Sequence, residues 1–77
     1  MNNKRREILR KAVRFLDSAS NLISNALEQE EDCLDNMPEN LQMSDRYEVM
    51  EAAIDHLEDA SSLLDEAKDK IGEAIGR

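Results

Sequence analysis

The chain has 77 residues, of which 36% are charged and 3% are aromatic. A chain this short buries only about 60% of the surface of its unfolded form, so self-association is the expected source of added stability. The formal net charge of -8 disfavours direct binding of nucleic acid or of an anionic membrane, because both are polyanions.

The charge and the titratable residues set further limits. Residues 1–27 carry six basic and two acidic side chains, whereas residues 28–77 carry four basic and sixteen acidic ones. Cys33 is the single cysteine, so no internal disulfide can form. Together with the single histidine, His56, it supplies fewer ligands than a zinc site requires. No apolar run approaches the roughly 20 residues that span a bilayer, and an amphipathic pattern rather than a signal peptide follows Lys4. We expect a cytoplasmic protein without a cofactor.

The first predicted element is a helix over about residues 4–34, because its apolar residues recur at intervals of three and four. Written in heptads, one core position is large: Leu9, Leu16 and Ile23. The other is small: Ala12, Ala19, Ala26 and Cys33. Alternating large and small core positions let two helices approach closely.

A connection is predicted over about residues 35–44, because Pro38 and the residue before it resist helical geometry. Asn36 is expected to cap a short turn there, and Ser44 or Asp45 to cap the next helix. Six residues either fix the chain reversal or present a surface to a partner: Asn36, Pro38, Glu39, Asn40, Gln42 and Tyr47.

A second helix is predicted over about residues 45–75, with the same alternation. Its large core positions are Met50, Leu57, Leu64 and Ile71, and its small ones are Ala53, Ala60, Ala67 and Ala74. A short link makes the helices antiparallel. The predicted fold is all-α: one domain over residues 1–77, a coiled-coil hairpin that dimerises into a four-helix bundle. A shift of 41 positions aligns the two helices, which fits either a duplication or the shared spacing of any two bundle helices.

Helix 1 continues apolar beyond its core positions, and an exposed strip of that length is typical of an interface. The predicted dimer interface comprises Ile8, Leu9, Val13, Phe15, Leu22, Leu27 and Leu34. Helix 1 also begins basic and ends acidic, against its own dipole. An antiparallel copy of helix 1 from a second chain would set basic ends against acidic ends, so the expected partner is a second copy of the chain.

The sequence predicts no catalytic, cofactor-binding or metal-binding residues, and hence no enzyme. His56 stands alone among acidic neighbours, and no Glu-x-x-His pattern supports a metal pair in a bundle. The predicted function is a non-enzymatic protein–protein interaction module with an unidentified protein partner. The alternative is an acidic nucleic-acid mimic that inhibits a DNA-binding or defence protein through the carboxylates of helix 2.

The stretch Asp35-Asn36-Met37-Pro38-Glu39-Asn40-Leu41-Gln42, with Arg46-Tyr47 and residues 50–60, carries a resemblance. It resembles small helical-hairpin proteins of gut-type bacteria, their phages and mobile elements, a group with no assigned activity. The resemblance covers about a third of the chain. It implies a small accessory protein and transfers no site residues.

Overall fold

The computed structural model describes residues 1–42 and 44–76. Helix α1 spans Asn3–Asp35, a short 3-10 turn spans Glu39–Leu41, and helix α2 spans Asp45–Ile75. These bounds confirm both predicted helices to within one residue at each end. No strand occurs in the described part of the chain, so the fold is all-helical, as predicted.

The two helices lie antiparallel as a rod of 59 × 15 × 15 Å. At one end, the Arg6 Nε atom donates a hydrogen bond to the carbonyl of Ile75 at 3.1 Å. Further along, the Lys68 Nζ atom lies 3.2 Å from a carboxylate oxygen of Asp17. These contacts define an open end, where α1 begins and α2 ends, opposite the end that holds the connection.

Each helix starts at a residue whose side chain accepts a hydrogen bond from the first turn. Asn2 Oδ1 accepts from the Arg5 N–H at 2.9 Å. Ser44 Oγ accepts from the Tyr47 N–H at 3.3 Å, which selects Ser44 over Asp45 as the cap of α2. Such caps satisfy amide groups that have no partner within the helix.

The connection differs from the sequence prediction at Asn36. This residue ends α1: its N–H donates to the carbonyl of Asp32 at 3.1 Å, and the next N–H, that of Met37, donates to the carbonyl of Leu34 at 3.1 Å. The 3-10 turn begins after Pro38, which has extended geometry and makes no side-chain cap bond. The prediction that Asn36 caps this turn is therefore wrong, because Asn36 closes the last turn of α1 and lies two residues before Pro38, the residue from which the 3-10 turn begins.

The helices pack along a seam of half-buried residues spaced by three and four. In α1 the apolar seam residues are Leu9, Val13, Leu16, Ile23, Leu27 and Leu34, with Ser20 among them. In α2 the seam residues are Tyr47, Met50, Ile54, Leu57, Ser61, Leu64, Lys68, Ile71 and Ile75. Ile54, 8% exposed, is the one buried apolar side chain among the described residues.

The placement of the alanine row in the hairpin core is wrong in part. Ala26 and Cys33 are exposed, and Ala12 and Ala19 are half-buried at the edge of the seam. Each of these residues comes one position before a seam residue. Its side chain is therefore rotated by about 100° around the helix axis relative to that seam residue. The larger side chains after them, such as Leu27, take the inner position because they bury more apolar surface.

Ser20 is a polar residue at the middle of this seam. Its Oγ atom is buried and has no hydrogen-bond partner among the described residues. An unpaired buried hydroxyl costs about 1–3 kcal/mol of desolvation. Ser20 therefore weakens the seam that it occupies.

Replacing Ser20 by Ala is expected to raise the free energy of unfolding by roughly 1 kcal/mol, because the buried hydroxyl is removed and Ala favours the helix. Urea denaturation at fixed protein concentration measures the change. Ser18→Ala is the matched control, since Ser18 is exposed and gains helix propensity alone. Equal gains in both variants would contradict a cost from the buried hydroxyl.

A candidate interaction face

Helix α1 keeps a row of large apolar side chains that α2 does not cover. Ile8, Phe15 and Leu22 are 60%, 66% and 70% exposed. They are seven residues apart, so they line up along one side of the helix. Each comes one position before a seam residue, as the alanines do.

Helix α2 repeats this arrangement. Val49 and Leu63 are 68% and 64% exposed, and the exposed His56 stands midway between them. Ala53, Ala60 and Ala67 lie half-buried between this row and the seam. Each helix thus carries an outer row of large side chains beside an inner row of alanines.

The flank of the seam on the other side is charged. Arg10, Arg14 and Asp17 each come one position after a seam residue of α1. Asp65 and Asp69 do so in α2. Together these residues line an open groove of about 1040 Å³ at the open end of the hairpin.

The residues that line this charged groove show which side of each helix faces the same way. The groove is lined from α1 and α2 alike by the charged flanks, and no alanine lines it. The charged flanks therefore share one side of the hairpin, and the alanine flanks share the other. We call that other side the apolar face; it comprises Ile8, Ala12, Phe15, Ala19, Leu22, Ala26, Val49, Ala53, His56, Ala60, Leu63 and Ala67.

The seven residues of the predicted dimer interface fall into two groups. Ile8, Phe15 and Leu22 are exposed on the apolar face. The remaining four are half-buried in the seam: Leu9, Val13, Leu27 and Leu34. Sequence periodicity placed apolar rows on both sides of Leu9, and one of those rows packs within the hairpin.

The tip of the hairpin holds the predicted loop surface. Glu39, Asn40 and Gln42 are exposed, as are Asn36 and Pro38. The Gln42 side chain donates to the Met37 carbonyl at 3.4 Å, which ties it to the connection. Tyr47 is half-buried in the first turn of α2 and belongs to the seam.

Residues with reactive side chains lie apart. Cys33 and His56 are both exposed, on different helices. Within residues 1–42 and 44–76, no three His, Cys, Asp or Glu side chains are grouped to hold a metal ion. In that same part of the chain, no helix is long and apolar enough to cross a membrane.

Lys68 forms ion pairs with carboxylates of both helices. Its Nζ atom lies 3.2 Å from Asp17 and 3.3 Å from Asp65, and its side chain is 22% exposed. The hydrogen bond to Asp17 raises the pKa of Lys68 above its ordinary 10.5; desolvation opposes this, and the bond to Asp65 adds to it. The ion pair thus links α1 to α2 at one defined level of the rod.

Comparisons of the chain with protein-family models, with curated proteins and with solved structures found no match.

Asp17→Asn is expected to lower the pKa of Lys68, because it removes the largest cause of the raised value. A raised pKa means that the stabilisation by Lys68 is present below about pH 10.5 and is lost as the pH rises through the folded-state pKa. Titration of the lysine side-chain NMR signals measures the shift. Asp55→Asn, the same change on an exposed carboxylate distant along α2, should leave Lys68 unaffected; an equal shift there would exclude a specific pair.

Proposed function

We propose that the protein is a non-enzymatic protein–protein interaction module that acts as a homodimeric four-helix bundle. The observation that best supports this proposal is the large solvent-accessible area that the hairpin leaves unburied. The chain exposes 5934 Å², whereas a folded monomer of 8.8 kDa is expected to expose about 4,800 Å². The excess of observed over expected accessible surface is comparable in size to the area, about 800 Å², that each partner buries in a standard interface.

The apolar face supports a second copy as the partner. It extends along a rod 59 Å long and 15 Å wide, which is about 890 Å² in projection and suits a standard interface. Burial of a large apolar side chain such as Phe15 contributes about 1.5–3 kcal/mol. Alanines between the large rows allow a second hairpin to approach closely, as packed bundles require.

A dimer built on the apolar face leaves the charged flanks and the tip exposed. Glu39, Asn40 and Gln42 at the tip then remain available to an unidentified protein partner. The exposed thiol of Cys33 suits the reducing cytoplasm, where a free cysteine stays reduced.

Phe15→Glu is expected to weaken the dimer roughly a hundredfold, because each interface would have to bury an unpaired carboxylate. Sedimentation equilibrium over a range of concentrations measures the dissociation constant. Asn21→Glu is the matched control: Asn21 is exposed on the charged side of α1 and gains the same carboxylate. We expect this control to remain dimeric.

Two outcomes would contradict the proposal. One is a wild-type chain that sediments as a monomer at micromolar concentration. The other is equal weakening by Phe15→Glu and Asn21→Glu, which would mean that added negative charge, and not the apolar face, controls association.

The second candidate function, an acidic nucleic-acid mimic, is favoured by one observation. The acidic residues predicted for it are all exposed on α2: Glu48, Glu51, Asp55, Glu58, Asp59, Asp65, Glu66 and Asp69. Their side chains are thus accessible to a basic cleft on a DNA-binding or defence protein.

If the protein is a nucleic-acid mimic, we expect the immobilised chain to capture DNA-binding proteins from its source cells. Either added salt or duplex DNA should then release them. Mass spectrometry identifies the captured proteins. Glu58→Gln together with Asp59→Asn should reduce the capture. Salt-insensitive capture that Phe15→Glu abolishes would instead favour apolar recognition.

A further inference from the structure

The apolar face carries one ionisable side chain. Eleven of its twelve residues are alanine or larger apolar residues, and the twelfth is His56, the only histidine of the chain. Val49 and Leu63 lie seven residues before and after it, so the three side chains line up along α2. Lys70 continues this row beyond the face, and its Nζ atom lies 3.8 Å from Glu73. His56 therefore occupies a position whose neighbours within the face are apolar.

The residues around His56 on the face are small. Ala53 lies three positions before it and Ala60 four positions after it, and both are half-buried. The His56 side chain is exposed, and in the part of the chain that the structure describes it has no hydrogen-bond or ion-pair partner. Water thus solvates the ring in the single hairpin. A second copy packed on this face would replace that water with apolar side chains.

Negative charges surround the face, but none lies on it. The two contacts that set the register of the hairpin place residues 25–29 of α1 at the level of His56. The carboxylates near this level that lie on the charged side, just after seam residues, are Glu28, Asp55 and Glu58. Glu30 is half-buried in the seam, and Asp59 is exposed at the outer edge of the face, one turn after His56. An ion pair at such an exposed edge is weak and is screened by salt.

We propose that the dimer is sensitive to pH: it forms near neutral pH and dissociates on acidification, when His56 takes up a proton. This inference rests on the homodimer proposed above. Histidine changes charge between about pH 8 and about pH 5. A neutral imidazole can be buried beside Val49 and Leu63, but an imidazolium loses its hydration there. Removing an unpaired cation from water costs far more than a pair with Asp59 at the exposed edge returns.

The direction of the pH effect follows from proton linkage. Water solvates the imidazolium in the monomer, so the monomer binds a proton more readily than the dimer does, and a falling pH favours the monomer. Twofold symmetry places two copies of His56 in each dimer, which steepens the effect. The carboxylates act in the opposite direction, because a chain of formal net charge -8 repels its copy less as its negative charge is titrated. Weakening on acidification is therefore specific to His56.

Sedimentation equilibrium at about pH 7.5 and about pH 5.5, at one ionic strength, tests this inference. The dissociation constant of the wild-type dimer should be roughly tenfold higher at the lower pH. His56→Gln is the matched control, because it keeps a polar side chain at this position but has no site for the proton. This variant should dimerise at least as well at the lower pH as at the higher one. Circular dichroism at both pH values establishes that the hairpin stays folded.

Nuclear magnetic resonance observes the same proton directly, because the chain has a single histidine. The ring signal of His56 should titrate at a lower pH in concentrated solution, where the chain is dimeric, than in dilute solution. In Phe15→Glu, which is expected to disrupt the dimer, the titration should not depend on protein concentration.

The outcomes separate the two proposals. Three results would each overturn the role of His56 and leave the homodimer in place: a wild-type dimer that is no weaker at the lower pH, acid weakening that persists in His56→Gln, or a ring titration that is independent of concentration in a dimerising chain. A chain that is monomeric at both pH values overturns the homodimer and its pH dependence together. Acid weakening that is lost in His56→Gln supports both.

Discussion

Two helices can shield only one side of each other, and this constraint determines the rest of the structure. Among the residues that the structure describes, the seam between α1 and α2 encloses one buried apolar side chain, Ile54, while Phe15 and Leu22 remain about two-thirds exposed. Hydrophobic burial is the main favourable term in folding. A hairpin with so little of it would gain stability from any association that buried these exposed side chains.

The position of a residue relative to the seam decides its environment. Residues just before a seam position, such as Ala12 and Leu63, are mostly small or apolar, and those just after it, such as Arg14 and Asp65, are mostly charged or polar. A rotation of about 100° per residue converts this order in the sequence into two opposite sides of a rod. The hairpin therefore has one side suited to apolar contact and one suited to water.

Periodicity and caps predicted both helices and their antiparallel order, because a proline-containing link between two amphipathic segments allows little else. The inner row of α1 was harder to predict. Ala12, Ala19 and Ala26 recur every seven residues beside Leu9, and so do Val13, Ser20 and Leu27 on its other side. The serine interrupts the true inner row, so the sequence favoured the alanines. The apolar face needed the structure, because shared flanks appear only when both helices are in place.

The seven-residue spacing also makes neighbouring alignments of the helices nearly equivalent. Sliding α2 by one heptad, about 10.5 Å, would again bring Leu and Ile side chains together. Such a slip moves Lys68 from Asp17 to the level of Arg10 or Ser24, where it meets a like charge or no charge. An ion pair that stabilises the hairpin little by itself thus distinguishes the native alignment from its slipped neighbours, as single polar positions do in other coiled coils.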